Sequence, residues 1–212
     1  KMKENNNKIT VFGLITKPAF NHEANGEKFY KAFVATKRIS GAVDTLPVII
    51  SDRIIDMNEI KYGDCVMITG QIRSHNLHVG EKHKLELFIF TETIEVYENE
   101  VEVPFNNEVT FNGFICKEPI YRTTPLNREI ADVLIAVNRP YGKSDYLPCI
   151  AWGRNARFVG NLPVGTHIEV TGRFQSREYN KKISEDETET RVAYEVSVSK
   201  VEVVEEKENA DE

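Results

Sequence analysis

Two stretches of the 212-residue chain alternate so as to gather one kind of chemistry on one side of a strand. In Asp145-Tyr-Leu-Pro-Cys-Ile-Ala-Trp152, residues Tyr146, Pro148, Ile150 and Trp152 share one parity; Leu147, Cys149 and Ala151 take the other. Successive side chains of an extended strand point to opposite faces, so if Leu147, Cys149 and Ala151 fill an interior, the two rings lie outside it. Farther on, Arg173, Gln175, Arg177 and Tyr179 also share one parity. Aromatic rings beside guanidinium groups suit the stacking of unpaired bases while cations follow the phosphates. Such stacking is worth about 1–3 kcal/mol per base and tolerates any base. Arg122, Arg139, Lys143, Arg154 and Arg157 are further candidate phosphate contacts. Taken singly, any of these tyrosines has a simpler explanation in cross-strand packing, and any of the arginines in solvation.

The elements that must position these residues come in two copies. Asn7–Lys17 lies over Asn107–Lys117 at an offset of 100, with five of eleven positions identical. Phe29–Arg53 lies over Ile130–Arg154 at an offset of 101, sharing Ala35/Ala136, Arg38/Arg139, Gly41/Gly142, Asp44/Asp145, Leu46/Leu147, Pro47/Pro148, Ile49/Ile150 and Arg53/Arg154. Tyr62–Ser74 lies over Val164–Ser176 at an offset of 102, sharing Gly63/Gly165, Thr69/Thr171, Gly70/Gly172 and Ser74/Ser176. Two units of this length are two small domains, not a solenoid, which stacks more and shorter repeats. The expected division is 7–98, a linker over 99–106 that is acidic and carries Pro104, 107–204, and an acidic tail over 205–212. So short a linker predicts domains that touch.

Each unit reads as strands. Val109, Phe111, Gly113 and Ile115 alternate with other residues, as do Val133, Ile135 and Val137, then Ile168 and Val170, then Tyr194, Val196 and Val198. Asn155–Leu162 is the helix-like segment, between the third and fourth strands. Five short strands with one helix in that place is the pattern of the OB-fold, a small partly open barrel. The expectation is all-β: two tandem five-stranded OB barrels, each with a short helix between strands 3 and 4.

The second unit resembles the bacterial single-stranded DNA-binding proteins. The resemblance rests on Leu134-Ile-Ala-Val-Asn-Arg-Pro-Tyr141, Asp145-Tyr-Leu-Pro-Cys-Ile-Ala-Trp-Gly153 and Val170-Thr-Gly-Arg-Phe-Gln-Ser-Arg-Glu-Tyr179, and it spans residues 107–204 nearly end to end. The first unit is similar to the same family more weakly. The resemblance implies an OB barrel in each half and stacking of bases at Tyr141, Tyr146, Trp152 and Tyr179, all four aromatic here. It implies a sequence-independent binder that coats single-stranded DNA, or RNA, in replication, recombination or repair. The repeat itself suggests a homodimer, in which two chains would supply the four barrels of the family's usual tetramer.

The first unit departs from this pattern. Opposite the four rings stand Ser40, Thr45, Ser51 and Leu77, although basic residues remain at Arg38, Arg53 and Arg73. This favours a first barrel that guides a backbone, or packs on the second, without holding bases. Substitute stacking by Phe20, Phe29 and Tyr30 is less expected than core packing. The tail ends Glu208-Asn-Ala-Asp-Glu212, without the proline and aromatic that close the family's partner-recruiting tip. The alternative function is an OB-fold protein-interaction or primosome-type adaptor with weak nucleic-acid affinity, which the stripped first barrel and acidic balance support.

Composition restricts the remaining classes. Apolar residues make up 41% and charged ones 28% of the chain, enough for a core. Net charge is −2 over 1–106, zero over 107–204 and −4 over 205–212, so where the cations sit matters more than their number. No apolar run has the roughly 18 residues of a membrane span, and Lys1–Lys8 has no signal-like apolar core. Three dispersed cysteines, Cys65, Cys116 and Cys149, suggest neither a disulfide framework nor a zinc site, and fit a reducing cytoplasm where the protein would associate with the nucleoid. His75, His78 and His83 near Glu81, and the acidic run Glu185–Glu189, read as solvated hairpin tips, not metal sites. With no phosphate loop, nucleophile elbow or triad, neither an enzyme nor a cofactor is expected.

Overall fold

A computed structural model describes residues 6–80, 82–98 and 106–205. The expected tail beyond 205, most of the expected linker and Glu81 lie outside them, as do the side chains of Val79, Lys82 and His83.

The first domain runs β1 (Asn7–Ile15), β2 (Ala19–Ala24), β3 (Glu27–Lys37), β4 (Val43–Ser51), β5 (Cys65–Val79) and β6 (Lys82–Tyr97). The second runs β7 (Asn107–Ile115), β8 (Ile120–Thr123), β9 (Glu129–Asn138), β10 (Ser144–Trp152), helix α1 (Gly153–Gly160), β11 (His167–Lys182) and β12 (Thr188–Val203). Each domain closes on itself. In the first, β1 pairs with β3, β3 with β4, β4 with β6 in parallel, β6 with β5, and β5 with β1. The second repeats the circuit through β7, β9, β10, β12 and β11. Both are OB barrels, and β2 and β8 are additional edge strands that the five-strand reading did not foresee.

The expected helix forms in the second domain, where Ala156 and Val159 bury one face of α1. In the first its place holds a three-residue 3-10 turn, Met57–Glu59, capped by Asp56 Oδ1, which accepts from the Asn58 N–H at 2.9 Å. The segment Ile54-Ile-Asp-Met-Asn explains the difference. Paired β-branched residues and side chains that bond their own backbone favour turns over a continuing helix.

Alternation fills the interiors. Val34, Leu46, Val48, Ile50, Ile68, Ile72 and Ile89 are fully buried in the first barrel, and Leu147 and Phe174 in the second. Burying one such side chain contributes about 1.5–3 kcal/mol. A glycine permits a close approach: β11 bulges between Thr171 and Gly172, and a Cβ at Gly172 would press into the Ser197 carbonyl oxygen.

The domains join edge to edge. β1 pairs antiparallel with β7, and Ile9 stands directly across from Val109, its own counterpart in the repeat. A local twofold axis therefore passes through that pair. Around it the hydrogen bonds come in matched sets. Asn7 Nδ2 donates to the Ile72 carbonyl and its Oδ1 accepts from the Ile72 N–H. Asn107 does the same with Phe174.

Candidate nucleic-acid interface

β10 presents the strand face expected from its parity at Tyr146 and Trp152, whereas Ile150, of the same parity, is buried. Leu147, Cys149 and Ala151 are buried, while Tyr146 and Trp152 keep 39% and 41% of their surface in solvent. Tyr179, on the β11–β12 hairpin, keeps 38%. These fractions decide against core packing for all three rings. Tyr141 is fully exposed at the tip of the β9–β10 turn, with a backbone φ of +76°. That left-handed conformation is costly for a bulky residue, and no packing of the ring compensates for it.

The cations divide into two groups. Arg177 lies 52% exposed, its Nε donating to Glu195 Oε1 at 2.9 Å and its guanidinium 5.9 Å from the Tyr179 ring. Lys143 and Arg154 are exposed beside Tyr141 and Trp152 in the chain. Arg122 pairs with Asp132 at 3.2 Å and Arg157 with Glu129 at 3.1 Å. Both pairs are at the surface, where such contacts hold weakly and can exchange for phosphate.

Arg139, Arg38 and Arg173 have another occupation. Arg139 grips Asp145 with two hydrogen bonds of 2.6 and 2.5 Å, and Arg38 grips Asp44 at 2.7 and 2.5 Å. These contacts hold both guanidiniums above their ordinary pKa, hydrogen bonding to the carboxylate being the main cause. Both carboxylates are buried, and each reaches across to the other domain. Asp44 Oδ1 accepts from the Ser176 N–H at 3.0 Å, and Asp145 Oδ1 from the Ser74 N–H at 2.8 Å. Arg173 approaches Asp44 at 3.9 Å, its Nε buried without a hydrogen bond, and burial with the nearby Arg38 lowers its pKa. The shared Asp and Ser of the repeat are thus the joint between domains, and these three arginines belong to that joint before any phosphate.

In the first domain Arg53 pairs with Glu27 at 3.4 Å, and Arg73 lies on the Phe90 ring. Arg191 escaped the sequence reading. It stands directly across from Tyr179 on β12, a neighbour that only the hairpin register reveals. No group of three metal-ligating side chains occurs among the described residues.

The barrels and this face define a tandem OB-fold protein with a ring-and-cation surface on its second domain. Residues 106–204, the second domain, match the model of the Single-strand binding protein family. Among curated relatives, the chain is 36% identical over 83 residues to Single-stranded DNA-binding protein 1 of Staphylococcus aureus, covering 36% of this chain and 50% of that protein. It is 33% identical over 81 residues to the Single-stranded DNA-binding protein of Halalkalibacterium halodurans, covering 35% of this chain and 48% of that protein. The chain thus spans about half the length of the curated relatives it matches. The wild-type single-stranded DNA-binding protein of Thermus aquaticus superposes with a TM-score of 0.76 at 17% identity, over 97% of this chain and 96% of that one. At that identity the likeness speaks to the tandem fold alone.

Proposed function

We propose that the chain binds single-stranded DNA without sequence preference, stacking bases on Tyr141, Tyr146, Trp152 and Tyr179 of the second domain. Arg177, Lys143, Arg154, Arg122 and Arg157 meet the phosphates. The observation that carries this reading is the rings' exposure beside cations on a barrel whose interior is already filled. The names of the matched relatives support the same ligand. Coating of exposed strands in replication, recombination or repair, in the cytoplasm, follows as the role. No helix among the described residues is long and apolar enough to cross a membrane. We also propose that two chains associate, supplying four barrels.

Trp152 is the chain's single tryptophan, so its fluorescence reports the second domain directly. Titration with oligo-dT should quench it saturably, and duplex should compete poorly because paired bases cannot stack on a side chain. Binding without quenching, or equal affinity for duplex, would remove Trp152 from the site.

A further inference from the structure

Matching positions between the domains strips the first of its stacking rings; the strand register shows rings on neighbouring strands instead. In the second domain Trp152 on β10 faces Ile130 on β9. In the first, the matching pair is Ser51 and Phe29, so the ring sits on the opposite strand. Val48 bridges Ile89 as Cys149 bridges Val196, which puts Phe88 and Phe90 where the second domain has Glu195 and Ser197. Ala32, Val34, Leu87 and Ile89 point inward and are buried. Phe33, Phe88 and Phe90 therefore lie on the outer face, each partly exposed. Phe29 backs Phe90, with ring centroids 6.1 Å apart.

Cations accompany these rings. The Arg73 guanidinium lies 3.7 Å from the centre of the Phe90 ring. Lys31 Nζ is 5.6 Å from that of Phe33 and 3.0 Å from Glu86 on β6. Flat rings and guanidinium planes are both surfaces on which bases stack. The strand that carries Arg73 also borders the second domain: the next residue, Ser74, accepts a 2.8 Å hydrogen bond at Oγ from the Tyr146 N–H, so this end of β5 lies beside β10.

We propose that the first domain holds single-stranded nucleic acid on Phe33, Phe88 and Phe90 with Arg73 and Lys31, and that a strand crossing Tyr146 continues onto this set. The inference rests on the reading of the second domain given above. An occupant with phosphates fits the cations, and one with exposed π-faces fits the rings.

The test uses the full chain and two lengths of oligo-dT, because one OB barrel covers about 4–16 nucleotides. A short oligomer of about ten nucleotides reads the second domain through Trp152. A labelled oligomer of about thirty reads both by anisotropy and gives the occluded length. In the Phe88→Leu/Phe90→Leu variant, the long oligomer should bind about ten-fold or more weakly with a shorter occluded length. Quenching by the short oligomer and the mass by light scattering should not change. Should that variant fold poorly, Arg73→Gln carries the test and should weaken the long oligomer alone. An unchanged occluded length in a folded variant overturns the proposal. A changed mass with unchanged occluded length also overturns it, and would give the face to a second protein chain. Absence of Trp152 quenching in the unaltered protein would instead sink the second-domain reading, and this one with it.

Discussion

Arg139→Ala should destabilise the protein more than Asp145→Ala, although the two remove the same ion pair. Asp145 is 1% exposed and accepts three hydrogen bonds, two from Arg139 and one from the Ser74 N–H. Breaking a buried pair from one side typically costs about 3–5 kcal/mol, because the remaining partner stays buried and unpaired. The Arg139 side chain keeps 24% of its surface in solvent and can turn outward when its partner is lost. Asp145 cannot. Asp145→Ala should therefore cost about 3 kcal/mol, mostly from the Ser74 N–H left without an acceptor and from weakened domain contact. Arg139→Ala should approach about 5 kcal/mol. For a chain of this size, about 3 kcal/mol corresponds to a fall in Tm of roughly 6–12 °C. Urea unfolding followed by circular dichroism and by Trp152 fluorescence measures both variants and the double variant. The double should cost less than the sum of the singles, since it leaves no orphaned charge. Additive losses, or an Asp145→Ala cost below about 1 kcal/mol, would refute the assignment of this pair as the domain joint.

Trp152→Ala should weaken single-strand binding by about 1–3 kcal/mol while sparing the fold, because the side chain lies outside the barrel interior and keeps 41% of its surface in solvent; a melting curve beside a binding isotherm checks both halves. Affinity for single strands should fall with salt at a log–log slope of about −0.7 per phosphate neutralised, and a flat response would remove the cations from the site. Light scattering should give twice the mass of one 24.2 kDa chain, and a clean monomer would end the four-barrel assembly. Gly172→Ala should destabilise by about 1–3 kcal/mol, since the added methyl meets a backbone carbonyl that cannot swing aside; wild-type stability would show that the bulge yields.

The repeat, the strands and the outward parity of Tyr146 and Trp152 were legible in the sequence, because each depends on spacing along one strand, where side chains must alternate. The long match between the two halves made two barrels the economical reading, and the touching of the domains followed from so short a linker. Contacts between strands were not legible. Asp44, Asp145, Ser74 and Ser176 were visible as shared residues, yet nothing along the chain says that each Asp accepts from the other domain's Ser. Arg38 and Arg139 looked like free cations for the same reason, since a buried carboxylate claims them only after β4 and β10 fold. Position-by-position matching left the first domain without its rings, whereas the register brings Phe33, Phe88 and Phe90 to one outer face through the pairing of β3 with β4 and of β4 with β6. Local alternation determined which side of each strand a residue takes. Which residues then stand beside it was decided by pairing between distant strands, and only the closed barrels define that pairing.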